Sequence, residues 1–128
     1  MNRIDKNNFY CEKLEQNIIY VHVYENADMD VTDIADVRIS NEILAGGKEY
    51  VVLFDIGTYA IISKEAREFG AKQEFGELRK AMAIIVKSLS HRLLAIFFIN
   101  INKPPTPTKV FNTKEKALEW LQQFVNKI

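Results

Sequence analysis

The residues best suited to chemistry follow the apolar run Tyr50–Phe54, which predicts a buried strand. Asp55 comes directly after this run, and Tyr59 and Ser63 follow in the next loop. Open α/β sheets form ligand crevices at the carboxyl ends of their parallel strands, and a helix beginning after Ser63 would offer backbone N–H groups to an anion. The pattern predicts a loop site. A purely structural explanation also fits, in which Asp55 bonds loop amides and Ser63 caps the helix.

No other set of residues has the spacing of a catalytic or metal site. His22 and His91 are the only histidines, and neither belongs to a motif that supplies a nucleophile and an orienting acid. The acidic stretch Asp28–Asp36 lacks the glycine and glutamate that a calcium loop needs at its sixth and twelfth positions. Its acids suit the start of a helix, where they complement the dipole. We therefore expect no enzyme, no metal and no other cofactor.

The length, charge and cysteine count of the chain limit the classes of protein to which it can belong. The chain of 128 residues fits a single domain over 1–128, and its 17 basic and 17 acidic residues cancel. Such a chain has no overall field that would attract nucleic acid. Cys11 is the only cysteine, so no internal disulfide can form. No apolar leader is visible, and no run of about 20 apolar residues is uninterrupted. We expect a cytoplasmic protein with no membrane span and no nucleic-acid partner.

Hydrophobic patterning predicts the elements that position these residues. The first half predicts a hairpin of two strands, a helix stopped by two glycines, a buried parallel strand and a short helix. In chain order these are Phe9–Leu14, Ile18–Tyr24, a helix from Val31 to the glycines Gly46 and Gly47, Tyr50–Phe54, and Lys64–Phe69. In the second hairpin strand, Ile19, Val21 and Val23 share one face, and Ile18, Tyr20, His22 and Tyr24 share the other. Both faces are largely apolar, so this strand should lie away from the sheet edge.

The second half contains a strand at Ala81–Val86 and then the ambiguous run Leu93–Ile99. That run is apolar on all sides, so periodicity alone fits either a hairpin strand or a helix capped by a serine. The alternation of strands and helices favours the helix, because parallel strands need a crossover. A proline loop, an edge strand at Lys109–Phe111 and a final amphipathic helix capped near Thr113 complete the chain.

The apolar surplus of the Leu93–Ile101 segment is a second candidate for function. As a helix it should cover the sheet with one set of side chains: Leu93, Leu94, Phe97 and Ile101. A second set then faces elsewhere: Ile96, Phe98 and Ile99. One helix cannot bury every side on one sheet. We expect the second set to form a homodimer contact or to line an apolar pocket.

The predicted order β-β-α-β-α-β-α-β-α resembles the SpoIIAA-like (STAS) fold of bacterial anti-sigma-factor antagonists. The C-terminal segment NKPPTPTKVFNTKEKALEWL resembles that of small uncharacterised bacterial members of the superfamily. The resemblance covers most of the chain from Ile18 onward. It implies one α/β domain with a mixed sheet of about five strands and three or four flanking helices.

In the antagonists a serine in the loop after the central strand is phosphorylated by a partner kinase. Ser63 falls where that serine would lie, although Ile62 replaces the preceding aspartate and Lys64 or Glu65 replaces the following glycine. The resemblance implies that the Asp55, Tyr59 and Ser63 loop is a phospho-acceptor site.

These observations together predict a non-enzymatic, cytoplasmic interaction or regulatory module of bacterial type. Its partner would be a second copy of itself or another protein. The alternative is a domain that binds a small apolar ligand or lipid, and an enzyme ranks last because no catalytic constellation assembles.

Overall fold

The computed structural model describes all 128 residues and contains eight strands and four α-helices. The strands are β1 (Arg3–Asp5), β2 (Phe9–Lys13), β3 (Ile18–Val23), β4 (Asp28–Met29), β5 (Tyr50–Ile56), β6 (Ile61–Ile62), β7 (Arg79–Ile85) and β8 (Thr108–Phe111). The helices are α1 (Val31–Leu44), α2 (Lys64–Gly70), α3 (Leu89–Phe97) and α4 (Lys114–Val125). Short turns of 3-10 or π type lie at Glu15–Asn17, Gln73–Gly76 and Phe98–Asn102.

Six strands form one mixed sheet in the order β1-β2-β3-β5-β7-β8. The first three pair antiparallel, and β3, β5, β7 and β8 run parallel. The predicted mixed α/β sheet is confirmed, as is the position of the second hairpin strand inside it. The sheet has one strand more than the expected five. The additional strand β1 places Ile4 opposite Cys11, and its three residues are too few to show a strand pattern in the sequence.

The helices cover both faces of the sheet. Strand β5 is buried along its whole length, as the continuous apolar run predicts. Its residues Val52 and Phe54 pack into the core under α1, α2 and α3, whereas Val51 and Leu53 pack against α4. Burying each such side chain contributes about 1.5–3 kcal/mol. The consequence is a three-layer domain with two separate core clusters.

The helix boundaries follow from local chemistry that the sequence shows. Asp30 and Asp33 form a reciprocal capping box at the start of α1, which confirms that these acids belong to a helix N-terminus. Gly46 and Gly47 follow α1 with φ of 69° and 73°, the left-handed conformation in which glycine carries no penalty. Ser63 caps α2 as predicted, and Ser88 and Thr113 cap α3 and α4 in the same way.

The run Leu93–Ile99 is helical, so the helix is the correct alternative and the hairpin strand is not. The prediction of which side chains cover the sheet is wrong, however. Leu93 and Ile101 are 58% and 61% exposed, whereas Ala95 and Phe98 are buried against the core. In a run that is apolar all round, periodicity carries no information about the inward face, and small Ala95 allows the closest approach.

Candidate functional site

The structure does not bring Asp55, Tyr59 and Ser63 together. Asp55 lies within β5, because the strand continues to Ile56, and its side chain points to the same sheet face as Leu53, the face that α4 covers. Tyr59 is 78% exposed in a left-handed turn. Ser63 begins α2 on the opposite face, where its Oγ accepts a hydrogen bond from the Ala66 N–H at 3.1 Å. The three residues therefore belong to three different surroundings.

Asp55 instead joins a polar cluster with two residues of β3. Tyr20 Oη donates to Asp55 Oδ2 at 2.5 Å, and His22 Nδ1 lies 3.4 Å from the same oxygen. The other histidine nitrogen, His22 Nε2, lies 3.5 Å from Glu25 Oε2. The parallel register places His22 directly beside Asp55, and the alternation of a strand puts Tyr20 on the same face. The grouping of Tyr20 with His22 on one strand face is visible in the sequence, but the register that adds Asp55 is not.

The environment of Tyr20 fixes it as the proton donor in this cluster. Burial raises the pKa of the Tyr20 phenol, and the hydrogen bond and the negative charge of Asp55 raise it further. Its ring lies 5.9 Å from that of Tyr10, and the Lys114 Nζ lies 4.7 Å above it. The remaining oxygen, Asp55 Oδ1, is buried and has no hydrogen-bond partner. The cluster can therefore accept one further hydrogen bond.

The cluster lacks the other parts of a nucleophilic site. No serine, threonine or cysteine hydrogen-bonds to Tyr20, His22 or Asp55. Cys11 is fully buried in the opposite core cluster, and burial raises the pKa of its thiol to about 12. No group of three or more histidine, cysteine, aspartate or glutamate side chains is arranged to hold a metal ion. What the geometry supports is a rigid polar anchor between β3 and β5.

A cavity of about 100 Å³ lies between the sheet and the three helices α1, α2 and α3. Fourteen of its twenty lining residues are hydrophobic, which makes it an apolar compartment. They come from the sheet and from all three helices, and include Ile34, Phe54, Ala66, Ile84, Ala95 and Phe98. The side chains of the lining that reach solvent near α2 and α3 include His91 and Leu94, so we place the mouth there. His91 is fixed by its Nε2, which lies 2.7 Å from the Ala60 carbonyl oxygen.

Five polar or charged side chains interrupt the apolar lining: Arg38, Asn41, Arg67, Arg79 and His91. Two of them, Arg79 and Asn41, are buried. Arg79 at the start of β7 is 7% exposed, and its Nε and Nη2 have no hydrogen-bond partner. Burial lowers the pKa of its guanidinium to about 10. Asn41 on α1 is also buried, and its Oδ1 has no partner. Arg79 is not recognisable from the sequence as a core residue, because the apolar run that predicts this strand begins at Ala81 and leaves the arginine in an apparent loop.

The three residues predicted for an interface or apolar pocket, Ile96, Phe98 and Ile99, differ in how deeply they are buried. Phe98 is 9% exposed and lines the cavity, so it does not lie on an exposed surface. Ile99 is half-buried and packs against the same core cluster, whereas Ile96 is 40% exposed. The large apolar side chains of this segment that do reach solvent are Leu89, Leu93, Leu94, Ile96, Phe97 and Ile101. We call these six residues the outer face of α3.

Taken together, the fold and the site define a small mixed α/β domain with an apolar cavity beneath three of its four helices. None of those helices combines the length and apolar composition that crossing a bilayer requires. The chain belongs to the family described as a domain of unknown function (DUF7793), whose profile matches residues 12–125. No curated protein and no solved structure matches the chain.

Proposed function

We propose that this domain binds a small apolar molecule in the cavity beneath α1, α2 and α3. The observation that carries the proposal is the cavity itself, a largely apolar compartment between the sheet and three helices. Native cores contain few voids larger than a water molecule, because empty space forfeits dispersion contacts. Its volume of about 100 Å³ approaches that of an engineered cavity of about 150 Å³ that binds benzene. The ligand is therefore a compact apolar body or the end of a longer one.

In this proposal the domain is a non-enzymatic module of the bacterial cytoplasm. The similarity of its predicted element order to the STAS fold supports a regulatory role, in which ligand binding changes the affinity for a protein partner. The geometry of the Asp55 cluster also favours a non-enzymatic role, because the Tyr20 hydroxyl and the Asp55 carboxylate are hydrogen-bonded to each other. Phosphorylation of Ser63 stays a prediction, and its Oγ already serves as the cap of α2.

The proposal is tested by filling the cavity in two ways, with a small apolar probe and with a larger side chain. Octan-1-ol should shift the methyl NMR signals of Ile34 and Ile84 in a saturable manner, because these groups line the cavity. In Ala95→Leu the larger side chain occupies the same space, so the affinity for octan-1-ol should fall at least about tenfold. Ala35→Leu is the matched control, since Ala35 is half-buried on α1 outside the cavity. The absence of saturable shifts in the natural protein, or undiminished binding by Ala95→Leu, contradicts the proposal.

A second candidate function is self-association through the outer face of α3. Large apolar side chains clustered on one surface helix are uncommon in monomers and mark sites of protein contact. The formal net charge of zero removes the repulsion that would keep two copies apart. A second copy of this chain is therefore the proposed occupant. Because Leu94 belongs both to this face and to the cavity lining, such a contact would also cover the cavity mouth.

A further inference from the structure

We infer that the ligand of the cavity carries a carboxylate, and that Arg79 binds this group through one edge of its guanidinium. The inference rests on the proposed function, because it assigns a chemical class to the ligand of the same cavity.

The first observation concerns the hydrogen bonding of the Arg79 guanidinium. Its Nε and Nη2 both lie buried in the cavity wall without a hydrogen-bond partner. These two nitrogens lie on the same edge of the planar guanidinium, the edge that pairs with both oxygens of a carboxylate through two parallel hydrogen bonds. Buried donors are nearly always satisfied in folded proteins. Two adjacent unsatisfied donors therefore indicate that an acceptor with two oxygens completes the site.

The protein itself supplies no such acceptor. No aspartate or glutamate lines the cavity. Glu42 and Glu77 pair instead with Arg38, whose guanidinium nitrogens lie 2.9 Å and 3.9 Å from them. The Arg79 guanidinium lies 5.5 Å from the centroid of the Phe75 ring, and the positive charge of Arg38 acts on it. Arg79 consequently has no counter-ion within the protein.

The remaining lining favours a carboxylate over a phosphate. A phosphate dianion is usually held by several N–H donors at a helix N-terminus. Here α1 and α2 are capped by their own Asp30 and Ser63 side chains. Arg67 also lines the cavity, but its Nη1 already donates to the Ile62 carbonyl at 2.6 Å. Arg38, the third lining arginine, is paired with Glu42 and Glu77, so the free edge of Arg79 is the unpaired one in a largely apolar lining. Such an edge matches a monoanion attached to a hydrocarbon body.

The position of Arg79 also orients the ligand. Arg79 begins β7 and Ile84 lies near its end, so at about 3.3 Å per residue they stand about 16 Å apart along the cavity floor. We place the mouth at the Ile84 end, because α3 follows the end of β7 and its Leu94 is the one lining residue that is exposed. The carboxylate therefore points inward, and the apolar body extends along β7 towards α3. Short aliphatic carboxylates such as octanoate are the appropriate probes.

Calorimetric titration with octanoate and octan-1-ol separates the contribution of the charge from that of the apolar body. We expect the natural protein to bind octanoate at least about tenfold more tightly than octan-1-ol, because charge-assisted bidentate bonds exceed neutral ones. Arg79→Met should lose at least about tenfold in octanoate affinity while octan-1-ol affinity stays within about threefold. Arg92→Met is the control for bulk charge, since it removes a positive charge from α3 outside the cavity and should change neither affinity.

The outcomes distinguish this inference from the proposed function. If octan-1-ol binds and octanoate binds no more tightly, the carboxylate inference fails and the apolar cavity site stands. If neither compound binds, both fail. Octanoate binding that survives Arg79→Met, or that falls equally in Arg92→Met, also overturns the inference. Should Arg79→Met not fold, Arg79→Lys serves instead: it keeps the charge but loses the planar edge, and its octanoate affinity should fall severalfold.

Discussion

At the scale of single residues, two buried polar side chains differ in whether hydrogen bonds within the protein replace their lost hydration. Asp55 is buried and its Oδ1 has no partner, but its Oδ2 accepts a short hydrogen bond from Tyr20, so its desolvation is partly offset. Arg79 is equally buried and has no partner within the protein for one edge of its guanidinium. A side chain of the first kind stabilises the fold, whereas one of the second kind costs stability and indicates a ligand. This contrast is the reason for placing the function at Arg79 and not at Asp55.

Removing the Tyr20 hydroxyl should expose the structural role of the Asp55 cluster. In Tyr20→Phe the carboxylate loses its closest donor while it remains buried, so we expect the free energy of unfolding to fall by about 1–3 kcal/mol. Urea denaturation measures this change. Tyr24→Phe is the matched control, because its hydroxyl lies 3.5 Å from Asp5 at an exposed position and should cost less than about 0.5 kcal/mol. Equal losses in the two variants would contradict a special role for the Tyr20–Asp55 bond.

At the scale of elements, α3 determines both candidate functions. Its inner side closes the cavity with Ala95 and Phe98, and its outer face presents apolar side chains to solvent. The helix is placed by the cap at Ser88, whose Oγ accepts from the His91 N–H at 3.1 Å. The sequence therefore favoured a helix capped by Ser88 or Ser90 over a strand, but it did not show which side faces inward.

The adjacent residues Phe97 and Phe98 form a matched pair for testing the outer face of α3. Phe97 is 48% exposed, so Phe97→Glu should leave the urea unfolding free energy nearly unchanged and abolish a dimer measured by light scattering at high micromolar concentration. Phe98 is 9% exposed, so Phe98→Glu should lower the unfolding free energy by at least about 3 kcal/mol, because a carboxylate enters the core. A natural protein that is strictly monomeric under these conditions would remove the dimer as a candidate function.

The whole molecule is a three-layer domain in which several ionisable groups are buried without compensation. Burial raises the pKa of the Cys11 thiol from 9.0 to about 12 and that of the Tyr50 phenol from 10.0 to about 12. Burial lowers the pKa of Arg79 from 12.5 to about 10. These shifts act on stability with opposite signs. Folded Cys11 and Tyr50 hold protons that the unfolded chain releases, whereas folded Arg79 releases a proton that the unfolded chain keeps.

Stability should therefore fall as the pH rises above 9. The contribution of Cys11 is fully present below its unfolded pKa and is lost towards about 12, so we expect a loss of about 1 kcal/mol between pH 9 and 10. Tyr50 extends the loss above pH 10, and Arg79 opposes it there. Urea denaturation at each pH measures the trend. Cys11→Ala should flatten the curve between pH 9 and 10, and an unchanged slope in that variant would refute the assignment to Cys11.

The sequence by itself determined the features that are encoded over short distances. The helix start at Asp30, the glycine stop at Gly46 and the buried strand beginning at Tyr50 each depend on a few neighbouring residues, and the structure confirms all three. The C-terminal helix follows its cap at Thr113 in the same way. Capping and hydrophobic periodicity act within one or two turns of chain, so the local sequence contains the information.

Only the tertiary structure decided which distant residues meet. Tyr20 and Asp55 are 35 positions apart, and their contact depends on the register of two parallel strands. The inward side of α3, the cavity and the burial of Arg79 depend on how helices and sheet pack together. Such contacts result from shape and burial across the whole domain, and no local pattern carries them. Asp55, Tyr59 and Ser63, which are close in sequence, therefore lie in separate surroundings in the structure, and the burial of Arg79 beside the cavity has no counterpart in any local pattern.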